Sequence, residues 1–292
     1  MEWSLMKKTV TMILISATVG VIGGQTATHF LSGDSKADHQ AVAAEKGIAH
    51  AESQGHNQKN MSHKSDNHGE SKHETKQHES NNQNPVFPKQ SETGKKGSDG
   101  LVLVNDQDSP LVVVNKERKL SSSYVPKNLR IPNVKFPFTE KVEKKYIQDI
   151  AATALEEMFK AAEKDGMYLF GVSGYRSFER QTQIYKNNVK TMGQKEADAV
   201  SAVPGTSEHQ TGLSIDISSQ SANFELEQKF GATPEGKWVA EHAHEHGFII
   251  RYPEGKTEIT GYTYEPWHIR YVGKEHATYI YQNGSTLEEA TR

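Results

Sequence analysis

Between Asp34 and Asp99 the chain carries almost no periodic apolar side chains; it is built from His, Ser, Asn, Gln, Lys, Glu and Gly, as in Ser62-His63-Lys64-Ser65-Asp66-Asn67-His68-Gly69-Glu70. Burial of so little apolar surface cannot offset the entropy of ordering the backbone, so this tract is expected to be a disordered spacer. That confines any folded core to residues 100–292, roughly 190 residues, enough for one well-buried domain. The seven histidines from His39 to His78 are irregularly spaced. They could bind zinc loosely or meet anionic polymers when protonated, but a solvated spacer accounts for them more simply. A flexible chain of this length has a reach of roughly 45 Å, enough to move a tethered domain away from its anchor.

Ahead of the spacer, Lys7-Lys8 precede an apolar run from Val10 to Ile22 and then Gly23-Gly24-Gln25-Thr26-Ala27. A charged start, a short apolar stretch and small residues describe an export signal. No Ala-x-Ala cleavage site stands near residues 20–30, so residues 1–33 read either as a cleaved signal peptide or as an uncleaved signal anchor. The chain is expected to be exported, to the extracellular side or the outer face of the cytoplasmic membrane, and to meet the membrane only through this segment. It has no cysteine, hence neither a disulfide nor a lipid-bearing cysteine. The net charge of −3 is spread over interspersed acidic and basic residues, which excludes an obvious nucleic-acid face.

Within residues 100–292 the apolar pattern predicts extended segments at Leu101–Val104 and Leu111–Val114, then an amphipathic helix from Glu140 to Glu163 that is stopped by Lys164-Asp165-Gly166. A buried strand follows at Tyr168–Gly174, and a helix from Phe178 to Met192. Leu213–Ile217 reads as a strand with Ser214 and Asp216 on one face and Leu213, Ile215 and Ile217 on the other. Phe224–Phe230 and Glu235–His246 read as helical, Phe248–Tyr252 and Tyr262–Tyr271 as strands, and Lys274–Asn283 as a closing helix. Pro266 cannot donate to a ladder, which points to an edge strand or a bulge beside an open cleft. The pattern describes an α+β domain around a small antiparallel sheet.

Two short segments carry the chemistry. Ser207-Glu208-His209-Gln210-Thr211-Gly212-Leu213-Ser214-Ile215-Asp216 and Glu265-Pro266-Trp267-His268 supply two histidines and an aspartate that suit zinc, whose catalytic sites keep three protein ligands and an open position. His209, Asp216 and His268 are the candidate ligands. Glu265, close to His268, suits a general base that takes a proton from water and passes it to a leaving amine. His242-Ala243-His244-Glu245-His246 looks more like a metal motif than these do, but it reads better as a helix terminus capped by Gly247, with an accessory metal site as the lesser alternative.

These residues resemble the Ser-x-His-x-x-Gly-x-Ala-x-Asp and Glu-x-x-His signatures of the VanY-type D-alanyl-D-alanine carboxypeptidases, zinc peptidoglycan peptidases related to lysostaphin and the Hedgehog amino-terminal domain. Ser207, His209, Gly212, Asp216, Glu265 and His268 match; Ser214 stands where the signature has alanine. The resemblance covers about residues 100–285. It implies the Hedgehog/D-Ala-D-Ala carboxypeptidase fold with flanking helices, bound Zn2+, and removal of a terminal D-alanine from peptidoglycan stem peptides by a monomer at the cell wall. It further implies that Arg176, in Tyr175-Arg176-Ser177, contacts substrate and stabilises the developing oxyanion, and that Gln181 and Ser207 offer polar donors in the pocket. Arg251 and Tyr252, in Phe248-Ile249-Ile250-Arg251-Tyr252-Pro253, resemble a segment on the pocket rim. An L,D-carboxypeptidase acting on tetrapeptide stems shares these motifs and stays open. So does a non-catalytic zinc- or wall-binding protein, although a storage site needs no free base like Glu265.

Overall fold

The computed structural model describes residues 84–292. The export segment and the histidine tract up to residue 83 lie outside the described residues. Among the described residues no helix is long and apolar enough to cross a membrane. The elements in chain order are β1 (Gly94–Lys96), β2 (Val102–Val104), β3 (Arg118–Lys119), β4 (Leu129–Arg130), β5 (Ile147–Gln148), α1 (Asp149–Lys164), β6 (Leu169–Ser173), α2 (Phe178–Met192), α3 (Gln194–Val200), β7 (Ser214–Ser219), α4 (Pro234–His242), β8 (Phe248–Ile250), α5 (Thr257–Thr260), β9 (His268–Tyr271), α6 (Lys274–Gln282) and α7 (Leu287–Ala290).

The centre is a four-stranded sheet in the order β6-β7-β9-β8, antiparallel throughout. Side-chain alternation along β7 sends Ile215 and Ile217 into the main core, against Ala151, Leu155, Met158 and Phe159 of α1 and Ile269 of β9. Burying each such large apolar side chain stabilises the fold by about 1.5–3 kcal/mol. The opposite face of β7 carries Ser214 and Asp216. Register then sets the chemistry, because Asp216 pairs with His268 on β9 and with Ser173 on β6.

Several expectations are corrected. The helix expected from Glu140 begins at Asp149, because Lys144 and Tyr146 turn their carbonyls to the amides of Gly174 and Tyr175, and Ile147–Gln148 pairs with β4 instead. Tertiary hydrogen bonds outweigh helical periodicity there. Val112–Val114 is buried, with Leu111 partly so, but the segment forms no strand; the Val112 and Val113 carbonyls accept from Arg270 and Arg118. Within Phe224–Phe230 the only helical turn is the start of a 3₁₀ turn, Gln228–Ala232. Of Tyr262–Tyr271 only the last four residues are strand; Pro266 sits in the turn before β9, and β9 lies between β7 and β8 rather than at an edge. Glu235–His246 is α4 followed by a 3₁₀ turn that ends at Gly247, as the cap reading requires.

The folded part also starts earlier than residue 100. β1 pairs with β2, Phe87 packs against the rings of His276 and Tyr279 on α6, and the Gln90 amide donates to the Glu288 carbonyl and Thr291 hydroxyl at 3.0 and 2.9 Å. Residues 84–99 thus belong to the domain and not to the spacer. Deleting residues 84–98 is expected to cost at least about 2 kcal/mol, or roughly 4–8 °C in Tm for a domain of this size, with Phe87→Ala giving part of that loss. Thermal unfolding followed by circular dichroism checks this; an unchanged transition would show that the segment only lies on the surface.

Candidate metal centre and active site

A run from Gly205 to Ser219 is buried without interruption and carries most of the site. It begins with a 3₁₀ turn, Glu208–Thr211, that ends at Gly212 with φ +66°, a left-handed conformation where a Cβ would also meet Leu129 at 2.9 Å. That turn places His209 beside Asp216 on the following strand. His209 Nε2 lies 3.4 Å from Asp216 Oδ2, and His268 Nδ1 lies 2.9 Å from Asp216 Oδ1. One donor atom from each of His209, Asp216 and His268 falls within 4.8 Å of the others, and all three residues are buried. His209 Nδ1 is 2.8 Å from the Gly174 carbonyl. A carbonyl can only accept, so Nδ1 carries the proton and Nε2 is left bare toward the cluster. Gly174 permits this contact because a Cβ there would stand 2.5 Å from the Tyr146 carbonyl.

The donor set fits a divalent metal. Burial pushes the Asp216 carboxyl up, yet the two imidazoles beside it hold it well below the usual carboxylate range, so it is ionised. Burial keeps His209 below its ordinary value and therefore neutral. His268, though burial opposes it, is pushed up to about 9 by Asp216 and Glu208, so a positive charge is favoured where these carboxylates meet. Two imidazoles, a carboxylate and a site that favours positive charge are what zinc takes.

Glu265 reaches the same place from the turn before β9, in which its amide donates to the Tyr252 carbonyl and its carbonyl accepts from the His268 amide. Burial, reinforced by Asp216 and opposed by His268 and Arg176, pushes its carboxyl up to about 7, where it can both take and give a proton near neutral pH. Arg176 follows β6. Its Nη1 donates to Gln181 Oε1 at 2.9 Å and its Nη2 to Ser173 Oγ at 3.4 Å. The Gln181 amide in turn donates to the Ala202 carbonyl at 2.7 Å. Gln181 thus holds Arg176 rather than offering a spare donor. Arg176, Ser207, His209, Tyr252, Glu265 and His268 all line one cleft of about 190 Å³. The Tyr252 ring stacks on Tyr262 at 4.4 Å and tilts against His268 at 5.0 Å.

Arg251 does not belong to this rim. It is fully buried, and its Nε donates to Glu208 Oε1 at 2.7 Å while Nη1 and Nη2 clasp Glu288 at 2.8 and 2.6 Å. Arg251 lies just past the end of β8 and turns into the ion cluster around Glu208, while Tyr252 lines the cleft. Sequence reasoning also passed over Glu208, Arg270 and Glu288, the rest of this ion cluster, and the cleft residue Tyr262. Glu208 sits inside the motif itself, and a charged residue between Ser207 and His209 in a run this buried was the available signal.

The VanY model, described as D-alanyl-D-alanine carboxypeptidase, matches residues 144–274, which include Arg176, His209, Asp216, Glu265 and His268. YodJ of Bacillus subtilis (strain 168), which carries the name of a carboxypeptidase, is 50% identical over 212 residues, covering 72% of this chain and 78% of the relative. This chain belongs to the VanY family of D-alanyl-D-alanine carboxypeptidases. Another relative, the D-alanyl-D-alanine carboxypeptidase of Enterococcus faecalis (strain ATCC 700802 / V583), is 37% identical over 63% of this chain and 66% of its own length. Among solved structures, the LdcB LD-carboxypeptidase is 49% identical with a TM-score of 0.67, covering 70% of this chain and 97% of that one. The vancomycin-resistance D,D-pentapeptidase VanY, solved with Zn(II), is 36% identical with a TM-score of 0.50, covering 63% and 99%. The α+β fold expected from the sequence is the fold of these VanY and LdcB enzymes.

The placement of Arg251 yields a distinction. Arg251→Met strands Glu208 and Glu288 in the interior with one fewer counter-charge, and breaking a buried ion pair from one side costs about 3–5 kcal/mol. Urea unfolding is expected to show that loss; a KM defect with unaltered stability would return Arg251 to the pocket.

Proposed function

We propose that this chain is a zinc-dependent carboxypeptidase that removes the terminal D-alanine of peptidoglycan stem peptides, as a monomer exported to the wall side of the membrane. The observation that carries this reading is the convergence of His209, Asp216 and His268 next to Glu265 and Arg176 in one cleft of a VanY-family chain. Zinc, when bound by the three, supplies a Lewis acid and makes water a nucleophile near neutral pH. Glu265 takes the proton of the attacking water and hands it to the leaving amine of D-alanine. Arg176 either holds the oxygen of the scissile carbonyl as charge develops there or pairs with the terminal carboxylate, and Gln181 keeps its guanidinium in place for both. Tyr252 and Tyr262 wall the cleft with aromatic surface, and Ser207 contributes a hydroxyl. Pentapeptide ends, with a D-Ala-D-Ala bond, are the leading substrate, in keeping with the D-Ala-D-Ala activity in the names of the enterococcal relatives.

A second reading within the same chemistry is cleavage of the bond between an L centre and D-alanine in tetrapeptide stems. It is favoured by the 49% identity to the LdcB LD-carboxypeptidase along 97% of that chain. Incubation with tetra- and pentapeptide stems, read by mass, decides between them. A zinc-storing or wall-binding protein without activity would leave both peptides intact, and the presence of Glu265 beside the ligands speaks against it.

Glu265→Ala removes the base but no ligand. Zinc is expected to bind at close to one equivalent while hydrolysis falls by at least about a hundredfold, the scale of a general acid/base contribution; His209→Ala should lose the metal as well. Comparable zinc loss in both variants would make Glu265 a ligand.

Recognition of the chain end gives a further check. Arg176 is half-buried in the cleft with acceptors on only part of its guanidinium, and charge-paired contacts are stronger than neutral ones. Amidating the terminal D-alanine should therefore reduce turnover steeply, with cross-linked stems that lack a free end resisting cleavage. Release of internal fragments from cross-linked wall at a comparable rate would indicate an endopeptidase.

A further inference from the structure

We infer that Glu208 is a positioning residue for His268: its buried carboxylate takes the Nε2–H of the imidazole, so that Nδ1 is the atom presented to the metal. This rests on the zinc-site reading above and adds the residue that orients one of its ligands. Glu208 is 1% exposed. One carboxylate oxygen, Oε1, accepts from Arg251 Nε at 2.7 Å and from Arg270 Nη1 at 2.6 Å. The other, Oε2, accepts from Ser214 Oγ at 3.0 Å and lies 3.5 Å from His268 Nε2. Three donors on two oxygens leave this carboxylate no freedom to turn. It stands nearest the Nε2 side of the imidazole, while Asp216 Oδ1 stands 2.9 Å from Nδ1 on the other side.

His268 Nε2 is buried without a hydrogen-bond partner at close range, and the acceptor it faces is Glu208 Oε2 at 3.5 Å. An imidazole that binds a metal through one nitrogen carries its proton on the other, and an ionised carboxylate can only accept. The proton therefore belongs on Nε2 toward Glu208, and Nδ1 is the bare nitrogen. His209 is set in the opposite sense, with its Nδ1–H on the Gly174 carbonyl and Nε2 bare. The two histidines thus offer different nitrogens, each fixed by an acceptor outside the cluster. Their rings meet edge to face at 86° with centroids 5.0 Å apart, as two ligands approaching one point from different elements must.

A merely structural Glu208 would neutralise Arg251 and Arg270 and do nothing to His268. The full-length protein separates the two roles. Zinc affinity is measured by chelator competition, and the ligand field by the absorption spectrum of the cobalt(II)-substituted protein. Glu208→Asp keeps the charge beside both arginines but withdraws the carboxylate from His268; Glu208→Gln keeps the shape but not the charge. Both are expected to weaken zinc by about 10–100-fold, the usual effect of losing a ligand's outer partner, and to shift the cobalt bands. Glu288→Gln, which disturbs the same ion cluster without touching His268, is expected to lower Tm and leave zinc affinity within about threefold. Zinc affinity and cobalt spectrum unchanged in Glu208→Asp would overturn the proposal. Should both Glu208 variants fail to fold, long-range proton–nitrogen correlation spectra of the zinc-loaded wild type decide. The expected result is a zinc-shifted Nδ1 with a slowly exchanging proton on Nε2 of His268, and zinc on Nε2 would refute it. A wild-type protein that binds no zinc at all would instead overturn the zinc-site reading itself.

Discussion

One carboxylate oxygen shared by two buried guanidiniums is the constraint on which the rest of this domain depends. Moving each of these ions out of water costs several kcal/mol, and the cost is recovered only if every donor and acceptor finds a partner at close range. Glu208, Arg251, Arg270 and Glu288 meet that condition. Arg270 also donates to the Pro110 and Val112 carbonyls, at 2.9 and 2.8 Å, and Asn115 donates to Glu288 at 3.1 Å. The cluster therefore joins four separate parts of the chain: the segment after β2, the metal-binding turn, the central strands and α7. Two carboxylates balance two guanidiniums, so the cluster itself carries no net charge. Removing Glu208 takes the shared acceptor from both guanidiniums, whereas removing Glu288 leaves Arg251 on Glu208 alone.

That coupling explains why Arg251 was misread from sequence. At a strand end, next to a tyrosine that does face the cleft, an arginine has no local partner, and its acceptors lie 43 residues earlier and 37 residues later. The metal cluster was legible for the opposite reason. His209 and Asp216 are joined by a tight turn and a strand, so their spacing survives folding, and Glu265 and His268 belong to one turn.

The fold was legible where local preference and tertiary packing agree. Helix α2 spans Phe178–Met192 as the pattern predicts, since Ser177 caps its start by accepting from the Arg180 amide and Gly193 ends it. The strand expected over Tyr168–Gly174 contains β6. It was illegible where distant groups claimed the backbone. Val142 and Ile150 fit a helical stripe yet are 37% and 50% exposed, because the chain around them answers to β6 and β4 rather than to its own periodicity. Tyr262–Trp267 alternates like a strand, but its aromatics are committed sideways, Tyr262 to Tyr252 and Trp267 to the main core. The polar composition before residue 100 likewise concealed Phe87 and Gln90, two side chains sufficient to dock that segment on α6 and α7.

Ser214 brings these strands together. The signature this chain resembles has alanine there, and a small-for-small exchange looks neutral. In the fold the hydroxyl is wholly buried, where an unpaired polar group would cost about 1–3 kcal/mol. Its partner is Glu208 Oε2, the oxygen that faces His268. An alanine at this position would leave Oε2 to His268 alone, whereas the serine divides that oxygen between a donor on β7 and one on β9. The same strand thereby supplies the Asp216 carboxylate on one side of the imidazole and anchors the Glu208 carboxylate on the other, so the orientation of His268 is set by β7 at both of its nitrogens.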